Sequence, residues 1–253
     1  MAHAPLISII TVTYNAAQTV VPTLQSVASQ TFTDYEHLVM DGNSKDDTAA
    51  LVSRHATPRT RFHSEPDRGI YDAMNKGLHQ AAGKYVIFLN AGDRFHSPDT
   101  LQTIADTIAR NGQPGVVYGQ TYLVDADGRY LGPRHLTAPE KLTAQSFATG
   151  MKVCHQAFVA RRDLCPDYDL QWRFSADYEW CIKILRKSEN NAYTGNVLID
   201  YLYEGMTTQN RKASLMERYK IMCRNYGTLP TLLRHIAFIP RFVGNKLKMK
   251  QSK

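Results

Sequence analysis

Three short stretches of the chain place oxygen-bearing side chains and small residues directly behind apolar runs: Thr13-Tyr14-Asn15, Asp41-Gly42-Asn43-Ser44 and Asn90-Ala91-Gly92-Asp93. One such end is an ordinary turn, because Asn, Asp and Gly are the usual turn formers. Three along one edge line a pocket, since ligands of open α/β sheets bind outside the carboxyl ends of the strands. No GxGxxG follows the first run and no GxxxxGK[ST] occurs, which excludes the dinucleotide fingerprint and the P-loop. A phosphate-bearing ligand here needs another cation. Asp93, with Gly92 beside it to let a ligand approach, is placed to hold a divalent metal by one or two oxygens while phosphate oxygens and waters complete the shell.

The elements that position these ends follow from periodicity. Ile7 to Thr13 is β-branched and almost wholly apolar, as in a strand buried on both faces. Gln18 to Ser29 has helical spacing, Glu36 to Met40 is a second strand, and Asp46 to Arg54 reads as a helix with Asp46 and Asp47 in its first turn. Arg61 to Ser64 is extended, and Ile70 to Ala82 is a helix in which Tyr71 and the Met74 to Leu78 face read as core. Lys84 to Leu89 is the next strand and Thr100 to Arg110 the next helix. Such alternation predicts a parallel sheet with right-handed crossovers. Beyond Pro114 the pattern becomes mixed: Val116 to Tyr118 and Thr121 to Val124 are strand-like, and Asp125 to Gly128 signals a hairpin.

Composition sets the outer limits. A chain of 253 residues, 43% hydrophobic, can bury one large core or two small ones. Its four cysteines have no CxxC spacing, which argues against a zinc site and a disulfide-stapled domain and for reduced thiols. The first ten residues lack a basic leader and their apolar run is soon broken by Thr11, Thr13 and Asn15, so neither a signal peptide nor a membrane span is expected there. Of the net charge of +7, nearly all lies in the last 28 residues, where Arg234, Arg241, Lys246, Lys248, Lys250 and Lys253 stand without an acid. A nucleic-acid surface on the main body therefore loses support.

Four segments in order, ISIITVTYNAAQTVVPTLQSVASQT, MDGNSKDDT, EPDRGIYDAMNKGLHQAAGKYVIFLNAGD and FSADYEWCIKILR, resemble the successive motifs of family 2 glycosyltransferases of the GT-A fold. The resemblance implies an α/β GT-A (nucleotide-diphospho-sugar transferase) fold over residues 1–207, with a mostly parallel central sheet flanked by helices. Residues 1–112 would form the nucleotide-binding half and 113–207 the acceptor-side half, followed by a basic amphipathic helical C-terminal extension over 208–253. The implied reaction moves a sugar from a nucleoside diphosphate sugar, a UDP-sugar first, to the hydroxyl of a glycan or lipid-linked acceptor, with inversion and with Mn²⁺ or Mg²⁺. The implied setting is cell-surface polysaccharide assembly on the cytoplasmic side.

Carried over by motif, Thr13, Tyr14 and Asn15 would contact the nucleoside, with Tyr14 stacking on the base, and Asp41 would hydrogen-bond the base or ribose. Asp67 would sit beside the nucleotide and Arg68 near the diphosphate. Asn90, Ala91, Gly92 and Asp93 would occupy the metal motif, where the family often has D-x-D-D and this chain keeps only the last acid. His155 and Gln156 would fall near the sugar or acceptor, and Asp177 at the general base. The chemistry asks for these types: an acceptor hydroxyl needs a carboxylate to take its proton, and a departing diphosphate needs positive charge.

Each residue also has a plainer reading. Asp177 precedes the stripe Tyr178, Cys181, Ile182 and Leu185 and could be a helix cap. Asp41 and Asn43 could be turn formers, and His155 a hydrogen-bonded interior histidine. Tyr201 to Thr207 resembles the family segment that closes over the donor. Arg211 to Tyr226 reads as a basic helix, and Leu229 to Ile239 mixes leucines with cations, which suits an anionic membrane surface or packing on the main domain or on a second copy in a homo-oligomer. The competing functions are a sugar-phosphate nucleotidyltransferase, which would want a glycine-rich basic loop where Asn15-Ala16-Ala17-Gln18 stands, and a non-catalytic membrane- or nucleic-acid-binding module.

Overall fold

The structure is a computed structural model that describes residues 4–203 and 211–236. Seven fully buried residues, Ile7–Thr13, form β1, and their β-branched side chains fill both faces as the sequence requires. The chain then runs α1 (Val20–Ala28), β2 (Tyr35–Asp41), α2 (Thr48–His55), β3 (Thr60–Ser64), α3 (Ile70–Gln80) and β4 (Tyr85–Phe88). Strands β3, β2, β1 and β4 lie side by side and parallel. Their carboxyl ends therefore share one edge, which brings the polar ends after β1, β2 and β4 together.

The second half is mixed. After β5 (Arg94–Phe95) and α4 (Thr100–Arg110) come β6 (Val116–Val124), β7 (Tyr130–Pro133), β8 (Phe158–Arg161), α5 (Ala176–Lys187) and β9 (Asn191–Leu202). Strand β8 runs antiparallel between β4 and β6 and joins the two halves into a single sheet, in the order β3-β2-β1-β4-β8-β6-β9-β5. The two expected pieces at 116–118 and 121–124 are one nine-residue strand, because β9 pairs along it in parallel and absorbs the break at Gln120 with register shifts.

Helix α3 packs against β1 and β2 through Gly77, where a Cβ would lie 2.6 Å from Ile10 Cγ2. That close approach fixes the height of α3 over the sheet, and with it the residues at its N-terminus. Helix α6 (Arg211–Tyr226) has the expected bounds. It is more than an appended extension, since Ile221 and Met222 are buried in the same hydrophobic core as β1 and β4. Residues 228–236 are helical, and the remainder of the expected Leu229 to Ile239 segment lies outside the described residues, as does residue 204 onward of the Tyr201 to Thr207 segment.

Candidate active site

Asp41 is the knot of the strand edge. Its carboxylate accepts from Thr13 Oγ1 at 2.9 Å, Ser44 N at 2.9 Å, Ser64 Oγ at 2.7 Å and Ser44 Oγ. Burial alone would raise its carboxyl, but the bonds from Ser44, Ser64 and Thr13 overcome that and leave it lowered. Four donors use all the lone-pair positions a carboxylate offers, so the direct contact with base or ribose that the resemblance implied is closed off in this arrangement. Asp41 instead sews the ends of β1, β2 and β3 together. Asn15 is part of the same seam: in the left-handed region at φ 48°, which Asn tolerates, it accepts from Lys45 N at 2.9 Å while its own N–H donates to Ser44 Oγ at 2.8 Å. Asp46 stands before α2, its carboxylate taking Thr48 N at 3.0 Å and Ala17 N at 3.1 Å, so it belongs to the seam and not to a helical first turn.

Asp67 keeps an open acceptor oxygen among the described residues. One oxygen takes Gly69 N at 2.8 Å, and the other lies over Gly42, where a Cβ would be 2.4 Å away. The Tyr14 ring borders the same spot at 3.3 Å. Tyr14 is 65% exposed, a flat apolar face in solvent beside a carboxylate and a glycine floor. These features suit a stacked base with its ribose or imide near Asp67. Arg68 holds Asp72 at 3.1 Å while 78% of its side chain stays exposed, so its charge is available along the edge.

The turn after β4 departs from the sequence expectation. At Gly92, with φ +103°, the Leu202 side chain occupies the face where a Cβ would stand, 2.7 Å from Leu202 Cδ2, so that face is not open to a diphosphate. Asp93 is 4% exposed and its carboxylate is engaged on both sides, by Leu202 N at 3.0 Å and Gln156 Nε2 at 2.8 Å. Burial pushes its carboxyl up to about 7. Mg²⁺-type sites are commonly held by one or two carboxylates while substrate phosphates and waters complete the shell, and among the described residues no group of three His, Cys, Asp or Glu is arranged to hold an ion without such a ligand. Asn90 Oδ1 is buried without a hydrogen-bond partner among the described residues, and one amide oxygen with one engaged carboxylate is not by itself a coordination set. Diphosphate oxygens and waters would have to supply the rest.

Asp177 lies in the first turn of α5, not at its cap, which is Ser175. Its Oδ1 accepts from Tyr71 Oη at 3.0 Å, and among the described residues its Oδ2 accepts nothing. The loop before it is gripped by α6: Glu217 takes Arg173 N at 3.0 Å and Phe174 N at 2.8 Å, and the Ser175 and Ser214 hydroxyls meet at 3.1 Å. His155 faces inward, 5.1 Å from the Phe88 ring and bonded to Tyr168 Oη at 2.6 Å. Burial lowers it to about 4, so it is a neutral core group and the plainer reading describes its place. Gln156 is spent on Asp93 and joins the acceptor-side half to the β4 turn.

The sequence reads Tyr71 as core and places Ser44 only among the polar strand ends, and it does not single out Ser64, Asn75, Tyr168 or Glu217. The polar tips of Tyr71 and Asn75, four apart on one face of α3, were the available signal.

The glycosyl transferase family 2 model matches residues 8–169. A PGL/p-HBAD biosynthesis glycosyltransferase of Mycobacterium tuberculosis is 33% identical over 71% of this chain and 70% of its own. Chondroitin synthase of Escherichia coli is 28% identical over 73% of this chain but only 27% of its own. Among solved structures, S. aureus TarS 1-349 in complex with UDP-GlcNAc has a TM-score of 0.69 at 20% identity, over 92% of this chain and 73% of that one. A mannosyltransferase of Pyrobaculum calidifontis in complex with GDP-Man and Mn²⁺ gives 0.65 at 17% identity, over 99% and 81%. The curled α/β sheet is thus the GT-A fold, and the chain belongs to glycosyl transferase family 2 and is a glycosyltransferase.

Proposed function

We propose that the chain transfers a sugar from a nucleoside diphosphate sugar, a UDP-sugar first, to a hydroxyl of a glycan or lipid-linked acceptor in cell-surface glycan assembly, on the cytoplasmic side. The observation that carries this reading is helix α3, which sets Arg68 on the donor edge and, one turn on, hydrogen-bonds Asp177 through Tyr71. In the reaction the acceptor oxygen attacks the anomeric carbon as the bond to the diphosphate breaks, and Asp177 Oδ2 takes the acceptor proton. Attack opposite the leaving group inverts that carbon. Tyr14 stacks on the base, Asp67 accepts from the base or ribose, and the exposed Arg68 guanidinium meets charge growing on the diphosphate. Thr13, Asn15, Asp41, Asn90, Ala91 and Gly92 shape the edge without donating chemistry. We read Asp93 as a strut, and Mn²⁺ or Mg²⁺ as belonging with the donor diphosphate.

The test is a thermal-shift screen of nucleoside diphosphates and their sugars, with and without Mn²⁺. A UDP-sugar should give the largest stabilisation; none from any nucleotide would sink the reading.

The acceptor is proposed to be reached at a lipid surface. Leu229, Leu232, Leu233 and Ile236 are all exposed, at the i, i+3, i+4, i+7 spacing of one helical stripe, with exposed Leu215 and Met216 on α6. Six cations and no acid follow Tyr226 in the sequence, which complements anionic headgroups, each worth on the order of 1 kcal/mol near the surface. No helix among the described residues is long and apolar enough to span a membrane, so the contact would be peripheral. Leu229→Ser with Leu233→Ser should lower co-sedimentation with phosphatidylglycerol vesicles. Unchanged sedimentation together with a shift from dimer to monomer would assign the stripe to a second copy.

A further inference from the structure

We infer that Tyr71 is a positioning residue for the base, fixing which carboxylate oxygen of Asp177 meets the acceptor. The inference deepens the proposed function and rests on Asp177 being the base.

Tyr71 is almost fully buried, so its phenol is not at the site as a ligand-facing group. Burial, and then the charge of Asp177, raise its pKa well above the ordinary phenol range. The phenol therefore remains a neutral donor across the working pH range. Among the described residues its hydroxyl has one acceptor, Asp177 Oδ1, 106 residues away in the chain. A hydroxyl donor aimed at Oδ1 leaves Oδ2 as the oxygen with open lone pairs, and it restricts rotation of the carboxylate about its last bond.

The Tyr71 ring is itself held. It stacks on Tyr168 at 5.5 Å, and Tyr168 stacks in turn on Trp180 at 4.9 Å, on the same helix as Asp177. Asn75, one turn after Tyr71, clamps the Tyr168 backbone from both sides, accepting from its N–H at 2.7 Å and donating to its carbonyl at 3.0 Å. The chain of contacts from α3 through Tyr168 to α5 closes on itself. A hydrogen bond made by so constrained a group orients its partner, and misplacement of a reacting group by about 1 Å can cost roughly a hundredfold in rate.

The experiment is a double-mutant cycle of Tyr71→Phe and Asp177→Asn in the full chain, with turnover read as nucleoside diphosphate release from the donor that stabilises it most. Tyr71→Phe alone should lower kcat roughly 10- to 100-fold with KM for the donor within about twofold, the ring packing being kept. In the Asp177→Asn background the same change should cost nothing further, because its effect runs through the carboxylate. An equal loss in both backgrounds would make Tyr71 merely structural, and an unchanged kcat in the single variant would remove it from the reaction. If Asp177→Asn alone leaves turnover intact, the base assignment fails first and the inference falls with it.

Discussion

Around Asp41 the hydrogen bonds join the ends of three neighbouring parallel strands, and the groups left facing outward, Tyr14 and Arg68, are well exposed. Around Asp177 the partners come from α3 and α6, and the aromatic rings behind them are buried. The proposed donor side is thus a hydrogen-bonded seam with exposed tips, whereas the proposed acceptor side is one carboxylate backed by a packed interior. Binding can tolerate some adjustment of a stacked base, but proton transfer depends on an angle. The molecule spends its long-range contacts where direction matters.

The contrast is tested most severely by Asp177→Asn. Turnover should fall by about 10²- to 10⁴-fold, the usual range for losing a general base, while nucleotide binding measured by calorimetry stays within about twofold. Loss of binding with turnover would mean that the two sides are not separable. Next in size, Tyr14→Ala should weaken nucleoside diphosphate binding about tenfold or more, as removal of a stacking face does, and leave the melting temperature alone because the side chain is exposed. A drop in melting temperature would place Tyr14 in the seam and not at its tip.

The smallest effect concerns Asp93, which joins the two sides through Gln156. Its carboxyl is raised to about 7 when folded, against about 3.9 in an unfolded chain. The stability it contributes is fully present below pH about 4 and is lost as pH rises through about 7. Asp93→Asn stays neutral, and the Gln156 amide can turn over to meet it. The variant should therefore gain on the wild type in chemical denaturation between those limits and level off above. The Mn²⁺-dependent increment in nucleotide binding should survive the substitution; its disappearance would make Asp93 a metal ligand.

Much of the seam was legible in the sequence because its parts are local. Ile7–Thr13, Thr100–Arg110 and Arg211–Tyr226 have the bounds that periodicity predicts, and polar strand ends on a parallel sheet must meet at one edge. Roles within that edge were not legible. Which of Asp41 and Asp67 keeps a free oxygen depends on Ser44 and Ser64, ordinary turn residues until their hydroxyls are seen on the Asp41 carboxylate. The room expected beside Gly92 is taken by Leu202, which arrives from β9. Tyr71 reads as a core aromatic because the one local signal, its polar tip four residues before Asn75, does not say that a carboxylate is the partner. Tertiary pairing across more than a hundred residues leaves no spacing to read.

The grip of Glu217 on the backbone of Arg173 and Phe174 has a consequence for anyone recombining members of this family. The family match ends at Asp169, ahead of that loop, but a cut drawn further on, after β9, also looks like a clean boundary for exchanging acceptor preferences between relatives. Such a chimera would separate the loop before Asp177 from the helix that shapes it. An exchange that respects the interior must move the loop before Asp177 and the helix that grips it as one cassette, 170–226, and keep Tyr71 on the receiving side.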